Sequence, residues 1–188
     1  MTRVALASLI GAGVVASTAG TGQAAPAAQS GSKPVTKTIE KGYALSCAGQ
    51  SAGVSIAVDL YQNSAFGSHT SVSIETPEGE YGGGYGPEDT TLFSSGTFAA
   101  DMPIRKLDDP PRPVGDAVIS GTYVAASSPK HVHEVIEDPA GHYVITQGTN
   151  TPLRTAATVK VLGMTVPLSC STAFAFDLTV WRLTAGRD

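Results

Sequence analysis

Val54-Ser55-Ile56-Ala57-Val58-Asp59-Leu60 alternates large apolar residues with small or polar ones. A period of two places Val54, Ile56, Val58 and Leu60 on one face of an extended strand and the intervening residues on the other. The same alternation recurs along most of the chain, and stretches with the helical spacing of apolar residues are hard to find. The sequence therefore predicts an all-β fold.

Other alternating segments predict further strands and one clear hairpin. The hairpin joins His131–Glu137 to His142–Gly148 across Asp138-Pro139-Ala140-Gly141, where proline and glycine suit a four-residue turn. This turn would place Glu137 opposite His142 and His133 opposite Thr146. The remaining predicted strands are Tyr43–Cys47, Val72–Ile74, Leu92–Phe98, Ala117–Ala125, Thr158–Val161, Met164–Cys170 and Phe174–Val180. Nine to eleven short strands are typical of an antiparallel β-sandwich, with a β-barrel as the alternative.

Two stretches lack the alternation and are predicted to be long surface loops. Pro77–Thr91 contains the run Gly82-Gly83-Gly84-Tyr85-Gly86 and several acidic residues, and Asp101–Pro113 is rich in proline. The glycine run lacks the lysine of a phosphate-binding loop, and its acidic neighbours would repel anions. We therefore expect no phosphate site there.

The chain begins with the features of a secretory signal peptide. Arg3 precedes the apolar run Val4–Ala16, and Gly22-Gln23-Ala24 forms a small-x-small cleavage site. The organisation predicted is a signal peptide at 1–24, a disordered linker at 25–35 and a single all-β domain at 36–188. No stretch of the mature chain is long and apolar enough to be a transmembrane segment. The sequence thus predicts a secreted, extracellular protein.

Cys47 and Cys170 are the chain's two cysteines. In a secreted protein two cysteines are expected to pair, so we predict one disulfide between them. The formal net charge is −4, and the basic residues are scattered rather than clustered. Nucleic acid is therefore not an expected partner, because binding to the phosphate backbone depends on clustered lysine and arginine.

His131 and His133 are the candidate metal ligands. Residues two apart on a strand point the same way, so both imidazoles could reach one transition-metal ion. His131-x-His133-x3-Glu137 resembles the first metal motif of the cupins, a family of double-stranded β-helix barrels. The family's flanking glycines and its second motif are absent, so the resemblance covers three residues. No other cofactor is predicted.

Three aromatic residues are candidates for contact with a partner. Tyr81 and Tyr85 lie in the glycine-rich stretch, and Trp181 falls on the polar side of the last predicted strand. Exposed aromatic rings often anchor binding to proteins or sugars. We therefore predict these residues as a partner-binding set.

No catalytic residue is predicted. Gly49-Gln50-Ser51-Ala52-Gly53 matches the G-x-S-x-G pattern of serine hydrolases, but a strand follows where that motif requires a helix. In layout and composition the chain resembles small secreted β-rich proteins of unknown function from actinobacteria. We expect a secreted, non-catalytic domain that binds a macromolecular or cell-envelope partner. The alternatives are a metal protein using the histidine pair and a carrier of a small ligand.

Overall fold

The computed structural model describes residues 35–137 and 142–183, which form ten antiparallel strands and no helix. Within these ranges no helix has the length and hydrophobicity of a membrane span. The predicted signal peptide, residues 25–34 of the predicted linker and the turn Asp138–Gly141 lie outside the described residues; Val35 belongs to the first strand. The strands are β1 Val35–Ser51, β2 Val54–Asn63, β3 Gly67–Thr76, β4 Gly79–Glu88, β5 Phe93–Ser94, β6 Thr97–Lys106, β7 Arg112–Ala125, β8 Lys130–Glu137, β9 Tyr143–Val161 and β10 Met164–Leu183.

All ten strands belong to one sheet, and the predicted all-β antiparallel class is confirmed. Their order is β10-β1-β2-β3-β4-β6-β7-β9-β8, with β5 paired to β6. Because β10 also pairs with β9, eight of the strands are hydrogen-bonded in a closed ring. The short β5 and the strand β8 lie off that ring.

The core lies inside the ring and follows the alternation seen in the sequence. Val54, Ile56, Val58 and Leu60 of β2 are all buried, as their spacing predicts. Fully burying one such side chain stabilises the fold by about 1.5–3 kcal/mol. The largest fully buried side chains are Leu60, Ile74, Met102, Ile104, Ile119, Val58, Val159 and Val166. The ring interior is thus filled with side chains.

The prediction of a long loop at Pro77–Thr91 is wrong, because most of that stretch is β4. A Cβ on Gly83 would lie under 3.0 Å from the carbonyl oxygen of Pro103 on β6, and one on Gly84 would lie 2.6 Å from the carbonyl oxygen of Thr70 on β3. Glycine is thus required where β4 passes close to its neighbours. A strand built from glycine has no apolar alternation to reveal it.

The second predicted loop, Asp101–Pro113, is also largely strand. Met102 and Ile104 of β6 are fully buried, and Pro103 between them lies opposite Asp116 of β7. The predicted strand Leu92–Phe98 is instead a tight hairpin of β5 and β6, with Ser95 and Gly96 at positive φ. Proline predicts an interruption where Pro103 lies within a strand, whereas the alternation predicts a continuous strand through Ser95 and Gly96, which form a two-residue turn.

Four strand segments continue past the ring as one piece of sheet, which we call the extension. It contains residues 35–41 of β1, 143–152 of β9, 174–183 of β10 and all of β8. β2 begins to pair with β1 at Gly42, and β7 pairs with β9 from Leu153 onward. The start of β1 and the outer side of β8 are therefore the two edges of the extension.

The register of the β8–β9 hairpin differs by one residue from the prediction. Glu137 lies opposite Tyr143 rather than His142, and His133 lies opposite Gln147 rather than Thr146. The connection runs from 138 to 142 and is one residue longer than a four-residue turn. Adding one residue to a hairpin loop shifts every cross-strand partner by one.

The predicted disulfide is confirmed. Cys47 on β1 and Cys170 on β10 are directly opposite in register, and their sulfur atoms are bonded at 2.02 Å. On β1, Cys47 also lies opposite Val58 of β2, so it is within the ring, and on β10 Cys170 lies between the two segments that pair with β9. The bond therefore links β1 and β10 within the ring, a few residues from where the extension begins.

Candidate functional site

One side of the extension, which we call the Trp181 face, is defined by the strand register. Val135, Ile145, Trp181 and Lys37 are successive cross-strand partners on β8, β9, β10 and β1. Cross-strand partners in an antiparallel sheet point to the same side. The apolar members of this face are Val35, Ile39, Val135, Tyr143, Ile145, Trp181 and Leu183.

Several apolar residues of the Trp181 face are left uncovered by residues 35–137 and 142–183. Ile39 is 62% exposed, Val35 is 55% exposed, and Val135 is also exposed. Trp181 and Ile145 are half-buried, and they border a shallow depression of about 320 Å³. Contiguous exposed apolar surface of this kind marks interaction sites more often than scattered single residues do.

On the Trp181 face, the side chain of Lys37 places a positive charge near the ring of Trp181. Lys37 Nζ lies 5.8 Å from the centroid of the Trp181 ring, and no described carboxylate forms an ion pair with it. Lys41 and Asp177 pair with each other at 2.7 Å. The Glu137 carboxylate accepts a hydrogen bond from Tyr143, which together with the carboxylate charge and some desolvation raises the pKa of that phenol. Lys37 remains available to an anionic group.

The opposite side of the extension is held to the ring by a buried polar cluster. Glu40, 6% exposed, accepts hydrogen bonds from Thr38 Oγ1 at 2.8 Å, Asn63 Nδ2 at 2.9 Å and Arg182 at 2.8 Å. The Arg182 guanidinium also lies 5.0 Å from the centroid of the Phe66 ring. Asn63 and Phe66 come from the turn between β2 and β3, so this cluster orients the extension.

The ionisation of Glu40 follows from these contacts. Burial is the largest single influence and raises the pKa of Glu40. The hydrogen bonds from Asn63, Thr38 and Arg182, with the charge of Arg182, outweigh burial and hold the pKa below its usual value. Glu40 is therefore an anion at neutral pH, paired with Arg182.

His131 and His133 lie on the Trp181 face, at its outer strand. Both are exposed, and their cross-strand partners on β9 are Thr149 and Gln147. In residues 35–137 and 142–183, no group of three or more His, Cys, Asp or Glu side chains is arranged to hold a metal ion. The structure therefore places the two histidines side by side without bringing a third ligand to them among those residues.

The structure separates the three aromatic residues predicted as one set. Tyr81 is 8% exposed and belongs to the core, opposite Ile74, so it offers no surface to a partner. Tyr85 is exposed at the far end of β4. Trp181 lies on the extension. Because β4 is a strand, Tyr81 and Tyr85, which are four residues apart, lie about 13 Å from each other.

A second surface feature is a cavity in the wall of the ring, which we call the lateral cavity. Along their described lengths β4 and β6 pair at two positions, Tyr81 with Lys106 and Gly82 with Arg105. Past Gly84 the two strands separate and leave an opening of about 310 Å³. It is lined by Ser68, Thr70, Tyr85, Glu88, Thr90, Leu92, Ala99, Ala100, Asp101 and Val118.

The lateral cavity contains one unusual polar group. Thr70 is 8% exposed, and its buried Oγ1 has no hydrogen-bond partner among the described residues. Its neighbour Ser68 donates to the carbonyl oxygen of Thr90. Buried hydroxyl groups in folded proteins nearly always have a partner, so the Thr70 hydroxyl is an open position for a polar contact.

Sequence reasoning missed Lys37, Ile39 and Thr70 as site residues. Thr36, Thr38 and Glu40 alternate with Lys37, Ile39 and Lys41, and this period of two was the available indication that β1 begins before Tyr43. For Thr70 there was no such indication, because a missing hydrogen bond depends on the strands that surround it.

Comparisons with known proteins give little further information. No family model matches the chain, and none of the curated proteins matches it. Among solved structures, one protein from Nitrosomonas europaea, provisionally named AttH, aligns with 80% of this chain and 53% of its own at a TM-score of 0.34 and 12% identity. The aligned region is thus about half of that protein. A likeness this weak supports no conclusion about fold or function.

Proposed function

We propose that this is a non-catalytic binding protein whose partner is another protein that packs on the Trp181 face. The observation that carries the proposal is the uncovered apolar row from Val135 through Ile145 to Trp181, next to the exposed Ile39 and Val35. On the opposite side of the same sheet, Arg182 and Glu40 contact Phe66 and Asn63, and Ile136 is the large apolar residue that is exposed. The Trp181 face carries more of the exposed large apolar residues, so we place the partner there.

The chemistry of the face defines the surface that fits it. A partner that fits would cover Trp181, Ile39 and Val35 with an apolar patch of its own. A carboxylate at the rim of that patch would contact Lys37. The edge of β8 is a poorer docking element, because Lys130, Glu134 and Glu137 place charges along it and charged edges resist strand pairing. We therefore place the partner on the face rather than along the edge.

We also propose that the protein works outside the cytoplasm. The Cys47–Cys170 disulfide is compatible with an oxidising compartment, where such bonds persist. Together with the predicted signal peptide, this favours a partner in the extracellular space or the cell envelope.

The first test measures whether the face is accessible, with 8-anilinonaphthalene-1-sulfonate as an apolar, anionic probe. Trp181 is the sole tryptophan, so a probe on this face should quench its fluorescence. Ile39→Thr should weaken binding and quenching, and Val124→Thr, at another exposed apolar residue, on β7, should leave both unchanged. Equal loss in the two variants would show that the probe is not on the Trp181 face.

The second test asks what occupies the face. The mature protein carrying a photo-crosslinker at Lys37 would be exposed to a cell-envelope fraction, with the same crosslinker at Val124 as the control. The proposal expects a protein crosslinked from Lys37, not from Val124, whose yield falls with Ile39→Thr. Crosslinks to a second copy of this chain, with concentration-dependent dimerisation in sedimentation velocity, would show self-association instead. Equal yields from both positions would contradict the proposal.

A further inference from the structure

We propose that the lateral cavity is a separate binding site for a small amine that carries a hydroxyl group at its other end. The site lies between β4 and β6 and shares no residue with the Trp181 face. The inference therefore stands independently of the protein partner proposed above.

The shape of the cavity is set by small residues and by the end of strand pairing. β4 stays close to β3 and β6 as far as Gly84, because glycine permits that approach. Beyond it, Ala99 and Ala100 of β6 leave space that larger side chains would fill. The resulting opening of about 310 Å³ is at the lower end of the ~300–1,000 Å³ typical of ligand pockets. A small ligand is therefore indicated.

The body of the ligand would be apolar. Leu92 and Ala100 are buried at the cavity wall, and Val118 of β7 lies partly exposed beside them. These side chains offer no hydrogen bond, so the part of a ligand against them gains from leaving water. An aromatic ring or a short alkyl chain suits this part of the site.

The buried hydroxyl of Thr70 calls for a polar group at the inner end. A threonine hydroxyl can both donate and accept, so a ligand hydroxyl satisfies it in either direction. Leaving such a group without a partner costs free energy that a bound hydroxyl would recover. This unpartnered group distinguishes the cavity from an ordinary surface cleft.

The outer end of the site favours a cation. Glu88 and Asp101 are exposed in the lining, and none of the lining residues is Lys, Arg or His. The exposed Tyr85 belongs to the same lining, and an aromatic ring attracts a cation that reaches its face. A ligand ammonium would meet two carboxylates and an aromatic ring, and the net charge of −4 would favour its approach.

Three probes of similar shape separate the contribution of the hydroxyl from that of the ammonium group. Tyramine carries both groups, and phenethylamine lacks the hydroxyl. In 3-(4-hydroxyphenyl)propionate a carboxylate replaces the ammonium. Isothermal titration calorimetry on the mature, oxidised protein should show tyramine binding at about millimolar affinity or better, as expected for a ligand of this size. The propionate should bind at least ~10-fold more weakly, since like charges repel.

Two variants assign the contacts. Thr70→Val keeps the shape and removes the hydroxyl, so it should weaken tyramine about 5-fold and leave phenethylamine unchanged. Asp101→Asn should weaken both amines by about 3-fold, the size expected for an exposed charge pair. The matched controls Thr165→Val and Asp116→Asn, both exposed and outside the cavity, should change neither.

Loss of structure can be separated from loss of binding. Thr70→Val should fold with a melting temperature at least as high as that of the native protein, since the buried hydroxyl it removes has no partner. The inference is overturned if tyramine shows no saturable binding up to about 10 mM. It is also overturned if the propionate binds as tightly as tyramine, or if Thr70→Val affects tyramine and phenethylamine equally.

Discussion

Glu40→Gln tests whether the buried cluster holds the extension to the ring. In the native protein the Glu40 carboxylate accepts hydrogen bonds from Thr38, Asn63 and Arg182. Glutamine keeps the shape but has one acceptor oxygen, and its amide group would face a donor from Asn63 or Arg182. The variant therefore loses charged hydrogen bonds without creating a cavity.

The expected loss of stability is about 2 kcal/mol at neutral pH. A hydrogen bond to a charged group contributes roughly 1.5–3 kcal/mol, and the substitution removes at least one. Breaking a fully buried ion pair costs about 3–5 kcal/mol, but the Arg182 side chain is 38% exposed and stays hydrated. For a domain of this size, about 2 kcal/mol lowers the melting temperature by roughly 4–8 °C.

The pH dependence of this loss has a definite sign. The pKa of Glu40 is lowered in the folded protein from its usual 4.5, so its contribution is fully present above that pH. As the pH falls through the lowered folded pKa, Glu40 is protonated in both states and the contribution disappears. Gln cannot titrate, so the stability difference between the two proteins should shrink below about pH 4.5.

Urea unfolding at several pH values, followed by the fluorescence of Trp181 and by circular dichroism, measures this difference. Glu75→Gln is the matched control, because Glu75 is exposed on β3 and should change stability by less than about 0.5 kcal/mol. The reasoning fails if Glu40→Gln resembles that control at neutral pH, or if its loss stays constant down to about pH 3.

Two further predictions concern the ring. The double variant Cys47→Ala with Cys170→Ala should have a free energy of unfolding lower by up to about 5 kcal/mol, measured by urea unfolding, because the bond spans a sequence separation of 123. A loss under about 1 kcal/mol would contradict this prediction. Gly83→Ala should cost about 1–3 kcal/mol, since its Cβ would collide with the Pro103 carbonyl. Gly82→Ala, whose nearest heavy atom would be 3.5 Å away, should be tolerated, and equal losses would refute the close approach of β4 to β6.

Alternation was sufficient to predict the fold class and several strand faces. Where large apolar residues occur at every second position, as from Val54 to Leu60, one face is buried and the other is not. The predicted strands Thr158–Val161 and Met164–Cys170 are confirmed as the two sides of a hairpin, in which Val161 pairs with Met164 and both turn residues have positive φ. These features depend on neighbouring residues, which is why a sequence reveals them.

The errors have a common physical cause. β4 consists largely of glycine and β6 contains Pro103, so neither shows the pattern that identifies a strand. Tyr81 was consequently predicted as exposed on a loop, whereas it is part of the core. What makes these segments strands is contact with distant parts of the chain, and local residue preference does not report that.

Strand length was the other missing information. β10 runs unbroken from Met164 to Leu183, although the polar stretch after Cys170 divides its alternation and predicted two strands. Its first part pairs with the end of β9 and closes the ring, and its last part belongs to the extension. Alternation shows which way a side chain points, but not which strand lies beside it, so the extension could not be predicted.

Both candidate surfaces lie where the pairing of the ring stops. Inside the ring the side chains fill the core, and the backbone groups of paired strands satisfy one another, which leaves little for a ligand to bind. At the lateral cavity, β4 and β6 part after two paired positions and leave Thr70 without a partner. At the extension, β1, β9 and β10 continue past their ring neighbours and carry Trp181 on a side that none of the ten described strands covers. Ligands and partners are therefore expected to bind where the pairing of strands ends. Substitutions within the filled ring should alter stability without altering binding.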